Sequence, residues 1–353
     1  MIELQQVSKR VGRITHVKPT SISFPAGGFN ILLGATGSGK TSLIKLMAGL
    51  DPVASGKVFI DGQDVTRRST QKRNISLVHQ FFVNYPHMSV FENIASPLRV
   101  AGMAESEIRG RVEEAAALLQ LTPMLKRQPQ ELSGGQQQRT ALARAIAKES
   151  RAVFLDEPLA NLDYKLREEL REQLPELLAG RGAVVVYATS EPEEALLLGG
   201  RTALMADGRI TQFGPTADVY REPENLTAAR VFSDPPINAA KVSKSGNKVR
   251  MESGASWSLS GRASELPDGE YTVAVRPHRV TPGRLGAGDV ELRGKVQITE
   301  LSGSHSSAHF SLGKEAWVSL APGIHPYKVG EEHSFFMDPE RCRYFDIDGQ
   351  RRA

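Results

Sequence analysis

A glycine-rich segment with a lysine and a threonine is the strongest chemical signal in the chain. The segment GATGSGKT at residues 34–41 follows the apolar run FNILL and precedes the helix-like pattern TSLIKLMAGL. Glycines at this spacing allow a tight turn whose backbone N–H groups face an anion, and the helix N-terminus adds partial positive charge. Lys40 can then reach the β- and γ-phosphates of a nucleoside triphosphate, and Thr41 can offer its hydroxyl to Mg²⁺. The predicted phosphate-binding residues are Gly34, Ala35, Thr36, Gly37, Ser38, Gly39, Lys40, Thr41 and Ser42. The alternative is a glycine-rich turn with an exposed lysine.

Two adjacent carboxylates end a second apolar run, RAVFLDEP at residues 151–158. Asp156 stands where a buried strand would emerge, which places it to hold Mg²⁺ through water. Glu157 follows and is the candidate that polarises an attacking water. The alternative is an ordinary acidic turn closed by Pro158. Paired with an upstream phosphate loop, the two carboxylates favour hydrolysis of a nucleoside triphosphate.

A second anion-binding segment is predicted within ELSGGQQQRTALARAIAKE, residues 131–149. Ser133, Gly134, Gly135 and Gln136 stand at the start of a helix-like pattern. A serine and two glycines at a helix start expose N–H donors and a hydroxyl to an anion. A plain helix N-cap is the alternative. Together with the phosphate loop, a second anion site suggests ATP sandwiched between two subunits.

Short apolar runs alternate with helix-like patterns over the first 235 residues, which predicts an α/β domain with a parallel sheet buried on both faces. The predicted strands are FNILLG (29–34), NISLV (74–78), AVFLD (152–156) and AVVVYA (183–188). The predicted helices are 41–50, 107–121 and 164–178. The last of these carries a leucine at every fourth position, which indicates one apolar stripe.

The pattern changes near DPPIN at residues 234–238, a stiff, turn-like stretch. After it come short runs in which apolar and polar residues alternate, separated by Gly, Ser, Asn and Pro. They predict a small all-β domain, a sandwich or barrel, over residues 236–353. A chain of 353 residues accommodates these two domains, 1–235 and 236–353.

Composition excludes several classes of protein. Hydrophobic residues make up 40% and charged residues 24%, which argues against a disordered chain. No apolar run approaches the ~18–20 residues that span a bilayer, and the N-terminus lacks a secretory-signal pattern. The single cysteine, Cys342, suits a reducing cytosol and excludes an intrachain disulfide. The net charge of +4 is spread evenly, which argues against a nucleic-acid-binding face.

Residues 1–235 resemble the ATP-binding cassette (ABC) family, because several motifs stand in its order: GATGSGKT, Gln80, LSGGQ, FLDEP and NLD at 161–163. The resemblance implies a P-loop NTPase fold with a helical subdomain, and two cassettes that dimerise head to tail around two ATP molecules. It implies that Gln80 contacts Mg²⁺ and senses the transporter, that Asp156 supports Mg²⁺, and that Glu157 is the catalytic carboxylate. Read from the residue alone, Gln80 is only a polar residue just after a strand. Asp163 would lie at the dimer seam; read from the residue alone, it is an N-cap for the next helix.

The tail resembles the TOBE, or OB-like, regulatory domain of importer ATPases of the maltose and glycerol-phosphate type, through VRPHRV (275–280) and ELRGKVQITEL (291–301). The segment 80–100 resembles the part of those importers that grips a cytoplasmic loop of the membrane subunits. Its aromatic residues could form a docking socket or could belong to the core of a helical subdomain. They are Phe81, Phe82 and Tyr85.

Two positions depart from the family pattern. Ser190 stands where most members carry a histidine that touches the γ-phosphate, and losing such a group costs ~10²–10⁴ in rate. Val11 stands where members place an aromatic ring against adenine, and losing a stacked base costs ~1–3 kcal/mol by analogy with single-strand binders. His79 and His87 are the nearest histidines that could replace the one missing at residue 190, but neither is at the motif position. They are more simply read as surface histidines or histidines with satisfied hydrogen bonds.

Both departures affect the half-site that serves the chain's own ATP, whereas LSGGQ, which serves the partner's ATP, is intact. This asymmetry suggests pairing with a second, different ATPase subunit; the opposing hypothesis is a homodimer with slow hydrolysis.

Three segments together resemble one of the two paired ATPase subunits of bacterial glycerol ABC importers: YPHMSVFENIASPLRV (85–100), LANLDYKLREELREQLPELL (159–178) and YATSEPEEALLLGG (187–200). The sequence therefore predicts an ATPase, with ATP and Mg²⁺ as cofactors, that drives import of a small polyol or sugar-like solute, with glycerol favoured. Its expected partners are the second ATPase, two permease subunits and, indirectly, a periplasmic solute-binding protein, at the cytoplasmic face of the inner membrane. A regulatory ATP-binding module with negligible turnover is the alternative. A nucleic-acid-binding cassette is disfavoured, because the tail has Trp257 and Trp317 without a basic cluster.

Overall fold

The computed structural model describes residues 1–81, 83–160, 162–179 and 182–353. The chain divides into two compact units, Met1–Val219 and Tyr220–Ala353. The domain boundary predicted between residues 235 and 236 stays a prediction.

The strands of the first unit are β1 (Ile2–Val11), β2 (Ile14–Phe24), β3 (Phe29–Leu33), β4 (Ser55–Ile60), β5 (Gln63–Asp64), β6 (Ile75–Val78), β7 (Ala152–Asp156), β8 (Val184–Thr189), β9 (Arg201–Ala206) and β10 (Arg209–Pro215). The helices up to the unit boundary are α1 (Lys40–Ala48), α2 (Val90–Val100), α3 (Glu105–Leu118), α4 (Gly134–Ala147), α5 (Tyr164–Ala179), α6 (Pro192–Leu198) and α7 (Thr216–Arg221). Among the residues described, no helix combines the length and the apolar character needed to cross a membrane.

A six-stranded sheet forms the centre of the first unit, in the order β10-β9-β3-β8-β7-β6. The neighbours from β9 to β6 are parallel, and only β10 pairs antiparallel. Every residue of β3, β7 and β8 is buried, because helices cover both faces of the sheet. The predicted α/β fold, its four parallel strands and the buried leucine stripe of α5 are confirmed.

A second, four-stranded antiparallel sheet, in the order β2-β1-β4-β5, was not predicted from the sequence. Its apolar residues, among them Ile2, Leu4 and Phe24, share one hydrophobic core with Phe154 of β7. The apolar residues of α1 belong to the same core. The helix that follows the glycine-rich loop is therefore held between two sheets, which fixes its N-terminus.

Helices α2, α3 and α4 pack against one another as a helical subdomain. A capping box at Ser89 and Glu92 starts α2, in which each side chain bonds the other's backbone N–H. Leu142 and Ile146 of α4 are buried.

The second unit is mainly β. Its strands are β11 (Asn238–Ser245), β12 (Lys248–Met251), β13 (Ser256–Ser258), β14 (Gly269–Val275), β15 (Val280–Thr281), β16 (Val290–Leu301), β17 (His305–Leu312), β18 (Glu315–Pro322), β19 (Glu332–Met337) and β20 (Arg343–Phe345). Two short helices, α8 (Leu226–Val231) and α9 (Gly261–Ser264), accompany them. The strands form two antiparallel five-stranded sheets, β13-β12-β11-β14-β20 and β15-β19-β16-β17-β18.

One hydrophobic core includes residues of both sheets of the second unit. Trp317 is fully buried in it, and the rings of Phe310 and Phe335 stack with centroids 4.0 Å apart. The indole N–H of Trp257 donates to the Tyr344 hydroxyl at 2.8 Å. Cys342 is buried as well, and burial raises the pKa of its thiol to about 12. The all-β fold predicted for the tail is confirmed.

Candidate functional site

The predicted chemical residues meet at one edge of the six-stranded sheet. Parallel strands place their carboxyl ends at the same edge, and ligands bind there in open α/β sheets. Gly34 follows β3, Gln80 follows β6 by two residues, Asp156 ends β7 and Ser190 follows β8. The sequence motifs are therefore brought together by the strand order.

Strand β8 anchors two parts of this edge through its last two carbonyl groups. The Ala188 carbonyl accepts a hydrogen bond from the Glu157 N–H at 3.0 Å, and the Thr189 carbonyl accepts one from the Gly34 N–H at 3.2 Å. The start of the glycine-rich loop and the residue after β7 are thus attached to the same strand.

The glycine-rich loop, residues 34–39, forms a turn that ends at the N-terminus of α1. A Cβ atom on Gly34 would lie 2.3 Å from the Met205 carbonyl oxygen, so no larger residue fits there. Gly39 caps α1 with φ of 110°, a left-handed conformation that favours glycine. The Ser38 N–H donates to the Ala35 carbonyl at 3.0 Å, and the buried Ser38 hydroxyl has no hydrogen-bond partner among the described residues.

Lys40, the first residue of α1, is 4% exposed. Its ammonium donates to the carbonyls of Gly34 at 2.7 Å and Ala35 at 3.2 Å, and lies 3.5 Å from Glu157 Oε1. Burial lowers the pKa of Lys40, and the nearby Glu157 carboxylate opposes that shift. The loop therefore presents a desolvated cation, which is suited to an incoming phosphate.

Asp156 is 1% exposed, and its Oδ1 accepts a hydrogen bond from the Thr41 hydroxyl at 3.1 Å. Its Oδ2 is buried without a hydrogen-bond partner among the described residues. Burial raises the pKa of Asp156, and the hydrogen bond from Thr41 opposes the shift. A buried carboxylate with one free oxygen is a site that a cation would stabilise.

Glu157 lies between a cation and an amide. Its Oε1 faces Lys40, and its Oε2 accepts a hydrogen bond from the Gln80 side-chain amide at 2.9 Å. Its φ of 48° is left-handed, a strained conformation for a residue with a side chain. Strain of this kind is concentrated at functional sites, and here the Ala188 carbonyl holds the Glu157 backbone in place.

The LSGGQ segment makes its contacts within itself. Ser133 is the N-cap of α4: its Oγ accepts from the Gln136 N–H at 3.3 Å, and Gln136 Oε1 accepts from the Ser133 N–H at 3.0 Å. Gly134 and Gly135 form the first turn, and Ser133 and Gly134 are exposed. The capping geometry fits both the plain N-cap and the anion-binding alternative. Asp163 caps α5, as predicted, by accepting from the Leu166 N–H at 3.0 Å.

The two positions that depart from the family pattern are both exposed. Val11 pairs with Ile14 at the end of the β1–β2 hairpin and is 54% exposed. Ser190 is exposed directly after β8. Both positions stay predictions as parts of a nucleotide site.

The segment after β6 carries exposed aromatic residues. Phe81 and Tyr85 are exposed, which argues against their membership in the core. The His79 ring stacks on Phe81 with centroids 5.7 Å apart, and His87 is exposed. Phe82 lies outside the described residues.

Sequence reasoning missed Gln138, whose side-chain amide donates to the Pro158 carbonyl, next to Glu157. Gln138 is buried on the same side of α4 as Ala141, Leu142 and Ala145. A polar residue three, four and seven positions from buried apolar residues was the signal available in the sequence.

A buried lysine in a glycine-rich loop, a threonine paired with a strand-end aspartate, and a following glutamate define a nucleotide-hydrolysing protein of the P-loop class. The family profile for ABC transporters matches residues 17–160, and the profile for TOBE domains matches residues 273–345.

Two curated relatives are similar over nearly the whole chain. Both are named sn-glycerol-3-phosphate import ATP-binding protein UgpC. The protein from Cupriavidus pinatubonensis is 33% identical and covers 99% of this chain and 98% of its own length. The protein from Pectobacterium atrosepticum is 35% identical, and the match covers 98% of this chain and 97% of that protein's length. A dimeric post-hydrolysis structure of the ATP-binding cassette MJ0796 with ADP and phosphate matches 61% of this chain and 99% of its own, at 30% identity and a TM-score of 0.57.

The chain belongs to the ABC transporter family and carries a TOBE domain. It is an ATP-binding and ATP-hydrolysing transporter component.

Proposed function

We propose that this chain energises a bacterial importer for a small polyol or its phosphate ester. The names of the full-length relatives support an ester of glycerol as cargo. Segments 85–100, 159–178 and 187–200 resemble the paired ATPase subunits of glycerol importers, which supports glycerol itself. Uptake of radiolabelled glycerol and of labelled sn-glycerol 3-phosphate by the reconstituted transporter decides between the two cargoes.

The observation that carries the hydrolytic role is the cluster of Lys40, Thr41, Asp156, Glu157 and Gln80 at one sheet edge. We propose that residues Gly34–Ser42 bind the triphosphate. The Lys40 ammonium would then exchange its hydrogen bonds to the backbone carbonyls for hydrogen bonds to the β- and γ-phosphates. The Glu157 carboxylate would accept the proton of the attacking water. The Gln80 amide holds Glu157 Oε2 and so orients the carboxylate.

Mg²⁺ fits beside Asp156. The Oδ2 atom of Asp156 is buried and unpartnered, the Thr41 hydroxyl lies at the other oxygen, and Gln80 supplies an amide nearby. Mg²⁺ in nucleotide sites is bound by one or two protein ligands, with phosphate and water completing its coordination. When bound, Mg²⁺ neutralises charge on the β- and γ-phosphate oxygens.

Each ATP would lie between the phosphate loop of one subunit and Ser133–Gln136 of the other. The exposure of Ser133 and Gly134 at a helix N-terminus supports this role, since free N–H groups there favour phosphate. Binding of ATP would close the dimer, and release of phosphate would reopen it.

We further propose that the chain's own half-site is weak, because Ser190 and Val11 offer neither an imidazole nor an aromatic ring. A second, different ATPase subunit would then supply the stronger site. The similar solved structures are dimers of the cassette MJ0796, so the heterodimer rests on Ser190 and Val11 alone. A homodimer with slow hydrolysis remains the competing assembly.

The permease partners would bind at a cleft of ≈ 590 Å³ between β6, α2 and α4. Tyr85, Pro97 and Val100 line it together with the cations Arg144 and Lys148. The Arg144 guanidinium lies 5.3 Å from the centre of the Tyr85 ring, which holds the aromatic at the cleft. Docking there would place the chain at the cytoplasmic face of the inner membrane, with the solute-binding protein reached only through the permeases.

Phosphate release by the full chain, alone and in the reconstituted complex, tests the proposal. Glu157→Gln should lower turnover at least ~100-fold and retain ATP binding, because only the water-polarising carboxylate is lost. Glu193→Gln, at an exposed position of α6, is the matched control and should change neither. Wild-type turnover in Glu157→Gln would refute the hydrolytic role. Intact ATP binding without turnover in the wild-type complex would instead support the regulatory module.

The assembly is tested by mixing this chain with candidate partner ATPases and changing the catalytic glutamate of each in turn. A heterodimer with one strong site loses most turnover only when the partner is changed. Full activity and nucleotide-dependent dimerisation of this chain by itself would establish the homodimer.

A further inference from the structure

The segment that follows Glu157, residues 158–160, is held at two points by side chains from different helices. The Gln138 amide of α4 donates to the Pro158 carbonyl. The Arg167 guanidinium of α5 donates through Nη2 to the Ala160 carbonyl at 3.1 Å. Both acceptors are backbone carbonyls, so both contacts fix the path of the chain directly after Glu157.

Arg167 also reaches the segment after β8. Its Nη1 lies 3.5 Å from Glu191 Oε1, and the Glu191 N–H donates to the Thr189 hydroxyl at 3.0 Å. Ser190 lies between Thr189 and Glu191. One guanidinium therefore joins the segment after Glu157 to the segment that contains residue 190.

Both side chains are largely shielded from water, so their contacts compete little with solvent. Gln138 is 2% exposed, and the Arg167 side chain is 24% exposed. The Arg167 Nε is buried without a hydrogen-bond partner among the described residues. The two terminal nitrogens are thus the points at which this guanidinium is held.

We propose that Gln138 and Arg167 are positioning residues for ATP hydrolysis: together they set the segment 158–160, and with it Glu157, relative to the LSGGQ segment and residue 190. Gln138 lies two residues beyond Gln136 on the same helix. When Ser133–Gln136 contact a partner's nucleotide, a shift of α4 would move Pro158 through the Gln138 side chain. Arg167 would carry the resulting shift of the segment after Glu157 to Glu191. The proposal rests on the catalytic role proposed for Glu157.

Steady-state kinetics of the full chain in its transporter complex test this positioning role. Arg167→Met should lower kcat about 10- to 100-fold, since small displacements of a catalytic group have effects of this size, with KM and ATP affinity unchanged. Arg167→Lys should recover part of kcat, because an ammonium can still bond one of the two oxygens. Lys165→Met, an exposed cation on the same helix, is the matched control and should leave kcat unchanged.

A double-mutant cycle separates positioning from a general loss of stability. Glu191→Met removes only one Arg167 contact, so its kcat should fall less, and Arg167→Met/Glu191→Met should be no slower than Arg167→Met alone. Strictly additive effects would overturn the proposal.

Hydrogen exchange measured by mass spectrometry provides a readout that does not require turnover. Peptides that cover residues 157–163 and 190–195 should exchange faster in Arg167→Met and Gln138→Met, while those that cover 34–41 stay unchanged. Unchanged exchange and unchanged kcat, in a preparation where Glu157→Gln abolishes turnover, would overturn the positioning role and leave the hydrolytic role intact. Turnover that survives Glu157→Gln would instead remove the hydrolytic role.

Discussion

Replacing Asp156 with asparagine should stabilise the nucleotide-free protein while it destroys magnesium-dependent hydrolysis. The carboxylate is 1% exposed, its Oδ2 has no hydrogen-bond partner among the described residues, and burial raises its pKa. An asparagine keeps an acceptor for the Thr41 hydroxyl and removes the buried charge.

The expected gain comes from removing a buried charge, because the amide nitrogen of asparagine takes the place of the unpartnered oxygen and lacks a partner as well. A buried group without a partner costs ~1–3 kcal/mol, and more when it is charged. Loss of the attraction between Asp156 and Lys40 offsets part of that gain. A net gain of about 1 kcal/mol would raise the melting temperature by about 2–4 °C for a domain of this size.

The pH dependence has a definite sign. The folded-state pKa of Asp156 is raised, so its contribution to the free energy of unfolding is present at low pH and is lost as the pH rises through the folded pKa. The advantage of Asp156→Asn should therefore appear at neutral pH and vanish at acidic pH.

Calorimetric melting with and without ATP and Mg²⁺ provides the assay. In the presence of both ligands the wild type should gain stability that Asp156→Asn does not, because binding to the folded state adds to its stability. Asp163→Asn, an exposed N-cap that asparagine serves equally well, is the control and should melt like the wild type. A lower melting temperature for nucleotide-free Asp156→Asn at neutral pH would refute the reasoning.

Two further substitutions test neighbouring features. Arg73→Met should lower the free energy of unfolding by about 1.5–3 kcal/mol. The buried Arg73 guanidinium donates to the carbonyls of Leu46 and Met47 at the end of α1, so denaturant titration should separate it from the control Arg68→Met, at an exposed position. Ser190→His should raise kcat about tenfold or more and add a pH dependence near the imidazole pKa in phosphate-release assays, provided that an imidazole there orients water; an unchanged pH profile would argue against that role.

The sequence predicts the sheet edge well because each chemical motif follows a strongly apolar run. Strand β7 was placed at its observed residues, and once the strands are parallel their carboxyl ends must coincide. The order of motifs along the chain therefore carries spatial information, which is why the Thr41–Asp156 pair could be anticipated.

The N-terminal antiparallel sheet could not be predicted for a physical reason. The alternation of β1 breaks where its register shifts between Leu4 and Val7, and Gln6 there has a φ of 51°. A bulge of this kind interrupts the period-two pattern on which strand prediction depends. The contacts of Gln138 and Arg167 were equally hidden, because their acceptors are backbone carbonyls that any residue type would supply.

The attachments around Glu157 differ in kind, and the difference bears on how the site can move. Gly34 and Glu157 are tied by backbone hydrogen bonds to consecutive residues of β8, so the start of the glycine-rich loop and the Glu157 backbone are attached to the same strand. The LSGGQ helix is attached to the segment after Glu157 through the Gln138 side chain, which has rotatable bonds. We therefore expect a movement of α4 to change the course of the chain at Pro158 more than the position of the glycine-rich loop. Nucleotide affinity and turnover are consequently expected to be separable: substitutions of Gln138 and Arg167 should lower turnover and leave the affinity for the chain's own ATP unchanged.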